Sequence, residues 1–339
     1  MISLRQLMNT KQIFWISVLS IAVIFSTIAA ISFGGVDVEL KNIFTVTMSP
    51  LELEVLANIR GPRVLLAAVV GAALGISGAA LQGLFRNPLA DPGLIGVSAG
   101  AALGAVSAIV FFKDGLFGLQ FGIFLVPLAS VLGSLIVIGL IFTLTSGFTQ
   151  SGITYMLLVG IALNALATVG IGFLTFISND SQLRGLTYWM MGSFGSANWQ
   201  LLIPTIIIVT IAIANLFMIS KKLDIIQLGE VEAHRLGINI RLIKMTIVLC
   251  SAFMIGACVS LSGIIGFIGL VVPHLVRLLG GANHTFLLPG SALLGISISV
   301  LSDLFSRIVI TPAELPVGLA TSALGAPFFL WLIIRLGKN

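Results

Sequence analysis

Charged side chains are scarce in this sequence. Asp, Glu, Lys and Arg make up 9% of its 339 residues, whereas a soluble domain carries about 25%. Hydrophobic residues make up 58% of the chain, and a soluble fold could not bury that much apolar surface. The composition therefore indicates a polytopic membrane protein. Its apolar runs are continuous rather than alternating, which favours helices over a β-barrel.

Cysteine and histidine are also rare, and their spacing excludes common structural chemistry. The two cysteines, Cys250 and Cys258, fall in one apolar run, where their spacing puts them about 12 Å apart along a helix, too far for a disulfide. The three histidines, His234, His274 and His284, match no metal-ligand spacing. We expect neither a metal site nor a cofactor.

Catalytic motifs are missing as well. The sequence has no Walker A, HExxH or GxSxG pattern and no pair of carboxylates within one apolar run. This argues against an ATPase and against an intramembrane enzyme. Apart from Asp303 near the outer edge, the runs contain no acids, which also argues against an ion-coupled secondary transporter, because coupling needs a titratable or cation-binding group at mid-depth. That transporter remains the main alternative class, and no nucleic-acid partner is expected.

The chain contains a series of apolar runs long enough to cross a bilayer. We predict an all-α, polytopic membrane protein of about ten transmembrane helices, forming a single transmembrane domain over residues 1–339. Two GxxxG patterns, Gly71–Gly75 and Gly100–Gly104, are typical of close helix packing in lipid. The runs are Ile13–Phe33, Arg63–Leu84, Leu94–Phe112, Phe121–Thr145, Ile153–Ile177, Leu201–Ile219, Leu242–Leu261, Ile264–Leu279, Leu287–Leu304 and Val317–Ile334.

The distribution of basic residues predicts the orientation in the membrane. Ten spans place both termini on the same side. With the N-terminus inside, 11 of the 17 Lys and Arg residues fall in the inner loops. This excess follows the positive-inside rule, so both termini are predicted to be cytoplasmic.

One loop, residues 220–241, concentrates charge between two apolar runs. Its centre, Gly229–Gly237, reads as a short helix bracketed by glycines, with acids early and bases late, which suits the helix dipole. Such a helix has too little apolar surface for a core element, so it either binds a soluble protein or is a solvated loop. The charged residues of this helix are Glu230, Glu232, His234 and Arg235.

An asparagine within one span and three arginines at span ends each have two possible roles. Asn164 lies in the middle of a predicted span, where an amide either joins helices or lines a water-filled path. Arg60, Arg63 and Arg307 flank spans on the outer side, where basic residues are few. They either pair with carboxylates of a protein partner or reach the lipid headgroups.

Several segments resemble the permeases of type II ABC importers, which take up ferric siderophores, haem and cobalamin. They cover essentially the whole chain in the order found in that family. These segments are RGPRVLLAAVVGAALGISGAALQGLFRNPLADPGLIGVSAGA (Arg60–Ala101), YWMMGSFG (Tyr188–Gly195), GEVEAHRLGI (Gly229–Ile238), LSGIIGFIGLVVPHLVRLLGG (Leu261–Gly281) and AELPVGLATSALGAPFFLWLI (Ala313–Ile333).

The resemblance implies a bacterial inner-membrane permease with ten helices per subunit. It implies a homodimer with a central path, two cytoplasmic ATPase subunits and a periplasmic substrate-binding protein. Haem and ferric-siderophore permeases are the most similar, with a cobalamin permease as the alternative. Pairing with a paralogous permease instead of a second copy also remains open.

The resemblance also assigns roles to individual residues. The ATPase-coupling helix matches Gly229, Glu230, Glu232, Ala233, His234, Arg235 and Gly237. The positions that meet acidic residues of the binding protein match Arg60, Arg63 and Arg307. The pathway and the cytoplasmic gate match Asn87, Leu89, Gln150, Ser151 and Asn164.

Overall fold

The computed structural model describes residues 8–34, 49–93, 95–112, 123–145 and 152–336. Every regular element in these ranges is a helix. A π-helical turn, Val55–Arg60, joins α2 to α3. The helices are α1 Thr10–Ser32, α2 Pro50–Glu54, α3 Gly61–Phe85, α4 Val97–Phe111, α5 Leu125–Thr145, α6 Gly152–Ile177, α7 Asp180–Met190, α8 Trp199–Met218, α9 Ser220–Gln227, α10 Glu230–Arg235, α11 Ile240–Ser262, α12 Ile268–Gly280, α13 His284–Ile308 and α14 Val317–Leu336.

The apolar helices confirm the all-α membrane fold. Among the described residues, 7 helical stretches are long and apolar enough to cross a bilayer, and the three shorter apolar helices are α4, α12 and α14. Each predicted apolar run overlaps one of these helices. The number of ten membrane crossings and the cytoplasmic side of the termini stay predictions.

Asparagine side chains fix the starts of many of these helices. Asn198, for example, accepts a hydrogen bond from the backbone N–H of Leu201 at the start of α8. This bond satisfies one of the N–H groups that a first helical turn leaves free, which matters at a membrane boundary. The asparagines that cap described helices in this way are Asn9, Asn179, Asn198, Asn239 and Asn283.

Helix α3 lies at the centre of the bundle, and most of its residues are buried. Its glycine face packs against α13, where Gly71 faces the backbone of Gly295. One turn further, Gly75 faces Ser291, and Gly78 then meets Gly269 of α12. A β-carbon at any of these glycines would collide with a backbone carbonyl, so the small residues set how closely the helices approach.

Three helices were not predicted: α2, α7 and α9. The sequence between Ser178 and Gln200 reads as a long polar stretch, yet it contains α7. Leu186 of α7 is fully buried, whereas the polar residues Ser181, Arg184 and Thr187 are exposed. An amphipathic helix of this length gives no continuous apolar run, so a search for spans passes over it.

We predict that Gly78→Ala destabilises the bundle, because its new β-carbon would meet the Gly269 carbonyl. Overpacking of this kind costs about 1–3 kcal/mol. Gly139→Ala is the matched control, since nothing lies within 4 Å of its β-carbon position. The thermal unfolding midpoint of detergent-purified protein should fall only for the first variant; a similar change in both would contradict this packing.

Candidate functional site

The loop after α3 folds back into the bundle. Arg86 ends α3 in the left-handed conformation, and the side chain of Asn87 accepts a hydrogen bond from the Leu89 N–H at 2.9 Å. Asp91 in turn accepts one from the Gly93 N–H at 2.7 Å. These two side-chain-capped turns hold residues 86–93, here called the gate loop, in a fixed shape.

The gate loop reaches the depth of the middle of α3. A β-carbon on Gly269 would lie 2.9 Å from Pro92, 3.2 Å from an Asp91 carboxylate oxygen and 3.3 Å from the Leu74 carbonyl. Leu74 sits near the midpoint of α3, so Asp91 lies near that depth as well. Asp91 belongs to none of the apolar runs, yet the folded loop brings its carboxylate beside the middle of a membrane helix, which a search within the runs does not detect.

A pocket of about 480 Å³ opens beside the gate loop. Its walls come from the gate loop and from helices α4, α6 and α14. The last residue of α7, the segment before α12 and the first turn of α12 complete them. Its size is within the range of small-molecule sites, and apolar residues with a few polar groups are typical of them. The lining residues are Leu89, Asp91, Gly93, Ser98, Ala99, Asn164, Thr168, Ile171, Met190, Ile264, Gly266, Phe267, Leu270 and Phe329.

Of the predicted pathway residues, the pocket brings Leu89 and Asn164 together. Asn87 is not in the lining but shapes the gate loop through its bond to Leu89. Within the described ranges, the side-chain amide of Asn164 forms no hydrogen bond. This favours a place in the pocket wall over a hydrogen bond that joins two helices. Gln150 and Ser151 lie outside the described residues.

Asp91 and Met190 belong to the pocket but were not predicted. The signal for Asp91 was present in RNPLADPG, where two prolines and an aspartate predict tight turns. Sequence alone does not say that such a turn folds inward rather than into solvent. Within the part of the chain that the structure describes, no cluster of three His, Cys, Asp or Glu residues could hold a metal ion.

The predicted coupling helix is present as α10, flanked by Gly229 and Gly237 with φ of 128° and 76°. Both values lie in the region that favours glycine, so the two residues permit the sharp turns at its ends. Ala233 is buried and faces the bundle. Glu230 is tied to Lys244 of α11 at 2.8 Å.

The outer face of α10 carries both charge and apolar surface. Arg235 pairs with Glu232 at 2.9 Å, and both side chains are largely exposed. Leu228, Val231 and Leu236 are 69%, 65% and 61% exposed. Exposed apolar side chains so near one another along a charged loop are a common feature of contact surfaces. The sequence analysis found the charges but not this apolar patch.

The structure places the three outer arginines inside the protein. Arg60, Arg63 and Arg307 are only 4%, 6% and 8% exposed. Arg63 donates to Asp303 and to Glu314, each at 2.9 Å. Arg307 lies 3.1 Å from the other Asp303 oxygen as an ion pair, without hydrogen-bond alignment.

Two of these arginines also close the end of α1. Arg60 donates to the carbonyls of Ile31 and Ser32, at 2.7 and 3.1 Å. Arg307 donates to the Ala30 carbonyl at 2.9 Å. Cations are stabilising at the free carbonyls of a helix C-terminus. The arginines thus join α1, α3 and α13, and neither reading from the sequence, an exposed docking site or headgroup contact, describes that internal role.

A model of the FecCD transport family matches residues 21–335. The chain belongs to this family. The hemin transport system permease HmuU of Yersinia pestis is 44% identical over 94% of both chains. The vitamin B12 import permease BtuC of Escherichia coli O127:H6 is 35% identical over 100% of both.

Solved structures agree with the family. One described as an inward-facing metal-chelate type ABC transporter superposes with a TM-score of 0.84 at 30% identity, covering 94% of this chain and 98% of its own. PsaBC from Streptococcus pneumoniae shares the fold alone, with a TM-score of 0.54 at 16% identity over 86% of this chain and 93% of its own. The chain is thus a multi-pass ABC importer permease, and permeases of this family work with ATPase and substrate-binding partners.

We predict that Asp303→Asn strongly destabilises this FecCD family member. The carboxylate is shared by Arg63 and Arg307, and removing one partner of a buried ion pair costs about 3–5 kcal/mol. Glu314→Gln is the control, because this carboxylate also pairs with Arg63 but is 39% exposed. The measurement is the thermal unfolding midpoint in detergent, and equal midpoints for the two variants would refute the account.

Proposed function

We propose that this chain is the permease subunit of an ATP-driven importer that carries an iron chelate, haem or a ferric siderophore, from periplasm to cytoplasm across the bacterial inner membrane. The observation that carries this proposal is the 44% identity to a hemin permease along 94% of both chains. A cobalamin permease is the second candidate, since the vitamin B12 permease matches at 35% over the full length of both chains.

The pocket beside the gate loop is the proposed transport path within one subunit. Its walls are mostly apolar, and its polar side chains are Asp91, Ser98, Asn164 and Thr168. Ligand sites of this kind use a few polar groups to orient a largely apolar molecule. Leu89 and Asn87 act as the gate in this proposal, together with Gln150 and Ser151 from the predicted cytoplasmic loop between α5 and α6.

A second copy of the chain is proposed to complete the path. Helix α6 lines the pocket with one face and leaves Leu166, Val169 and Phe173 exposed on others. The pocket is therefore at the edge of the subunit rather than enclosed within it. In a homodimer, two copies of α6 would face each other across a central path, and a paralogous permease would serve equally well.

Helix α10 is the proposed contact with the ATPase. Its exposed apolar residues supply the contact area, while Glu232, His234 and Arg235 supply charge around them. Apolar anchors surrounded by polar groups are typical of protein interfaces. Each copy of the permease would receive one ATPase subunit, and the nucleotide would be hydrolysed there rather than on this chain.

The binding protein is proposed to dock at the opposite end, near Arg60, Arg63 and Arg307. These side chains are buried, so their part in docking is to hold the surface that the partner meets. The cluster carries three positive and two negative side chains, counting Asp303 and Glu314. This excess of positive charge attracts an acidic partner through its field and raises the association rate.

We predict ATP-dependent uptake of haem by proteoliposomes that contain the permease, its ATPase and the binding protein. Cobalamin in excess should not compete, and the permease alone should not hydrolyse ATP. Uptake of cobalamin without uptake of haem would instead support the second candidate. Uptake driven by an ion gradient in the absence of ATP would overturn the importer proposal altogether.

We predict that Val231→Asp releases the ATPase from the complex, because a charge would replace an exposed anchor of α10. Truncating such anchors costs about 2 kcal/mol or more in known interfaces. The matched control is Leu51→Asp in α2, since Leu51 is also an exposed apolar residue, at 62%, on another surface. Co-purification of tagged permease with the ATPase measures the effect, and equal recovery with both variants would count against this contact.

A further inference from the structure

A buried histidine connects the segment before α10 with two other helices. The ring Nδ1 of His284, the first residue of α13, lies 2.6 Å from an Asp224 carboxylate oxygen on α9. The same oxygen accepts a hydrogen bond from the His284 backbone N–H at 2.9 Å. Since an ionised carboxylate oxygen only accepts, Nδ1 is the donor in the first contact, and the side-chain amide of Gln227 at the end of α9 also lies 3.1 Å from the same nitrogen. Asp224 therefore holds both the ring and the start of α13.

The other side of the same ring rests on α3. His284 is fully buried, and its Nε2 faces Gly83 so closely that a β-carbon at position 83 would collide with it. Among the described residues, Nε2 has no hydrogen-bond partner. The contact with α3 is therefore steric, and it exists because residue 83 has no side chain. We call Asp224, His284 and Gly83 the joint.

The joint lies close to both moving parts of the proposed importer. Along α9, Asp224 is three residues from the last helical residue, Gln227, and only Leu228 and Gly229 separate Gln227 from α10. Along α3, Gly83 is three residues before Arg86, where the gate loop begins. The side chain of His284 thus contacts both the helix that leads to α10 and the helix that leads to the gate loop.

Glycines at the two ends of α10 determine how the segment turns. Gly229 and Gly237, at the two ends of α10, have open space at their β-carbon positions and positive φ values. Helix α10 is therefore set apart from its neighbours by sharp glycine turns, whereas α9 is anchored by buried Leu223 and Ile226 and by the joint. A movement of α10 that carries α9 with it reaches α3 at the joint, beside a second route through the Glu230–Lys244 ion pair to α11.

We propose that His284 is a positioning residue that transmits displacement of the coupling helix to the gate loop through Asp224 and Gly83. This inference rests on the proposed function, in which α10 contacts the ATPase. Packed helices pass on motion by shifting as units between discrete arrangements. A charge-assisted hydrogen bond on one side and close steric contact on the other keep the three helices moving together.

The test compares transport with ATP hydrolysis in the reconstituted complex of permease, ATPase and binding protein. Asp224→Ala and His284→Ala should keep the ATPase bound and hydrolysing, while haem transported per ATP falls about tenfold, as expected for loss of a hydrogen bond to a charged group.

Asp224→Asn keeps an oxygen acceptor for His284 and should restore coupling. Asp180→Ala, at an exposed acid in the first turn of α7, is the control and should behave like the wild type.

A second variant tests the joint from α3 and leaves both Asp224 and His284 unsubstituted. Gly83→Ala pushes the ring away and should uncouple transport in the same way. Unchanged transport per ATP in Gly83→Ala would overturn the proposal, even if the alanine variants at 224 and 284 fail to fold. Loss of bound ATPase in Asp224→Ala, with an unchanged thermal midpoint, would also overturn it, because the joint would then only hold α10 in place. A wild-type complex that neither binds an ATPase nor transports would instead refute the proposed function.

Discussion

Close backbone contact between α3 and its neighbours determines the arrangement of this protein. Within a bilayer, helices gain little from burying apolar surface, because lipid is as apolar as the helix interface. Association then depends on close packing, and Gly71, Gly75 and Gly78 allow it by exposing the α3 backbone to α12 and α13. All three functional regions extend from this helix: the arginine cluster at its start, the joint near its end and the gate loop after it.

The same helix explains why charge is found inside a protein that has so little of it. Arg63 belongs to the first turn of α3, and the tight crossing with α13 brings it against Asp303. A lone guanidinium at this depth would be costly, but the shared carboxylate offsets the charge, and carbonyls of α1 accept hydrogen bonds from Arg60 and Arg307. A surface assignment based on the scarcity of basic residues misses this internal role.

The sequence predicted the fold better than it predicted the site. Long apolar runs and glycine-bracketed charge are local patterns, so the membrane helices and α10 appear where they were expected. The turn that contains Asp91 was predicted correctly, but not its inward path, because that path depends on the close approach of Asp91 and Pro92 to Gly269. The roles of His284 and Gly83 depend on three segments far apart in sequence, and no pattern within any one of them reveals the joint.

The pocket at the edge of the subunit has a consequence for how the protein is made. Asn164 presents an amide with no internal partner among the described residues, on a helix whose neighbouring positions are apolar and exposed. In hydrocarbon, each such polar group left unsatisfied costs several kcal/mol. A newly inserted single chain therefore carries a built-in penalty that disappears when this face is covered. In the proposed dimer this face would be covered, so assembly would relieve a cost that each single chain bears.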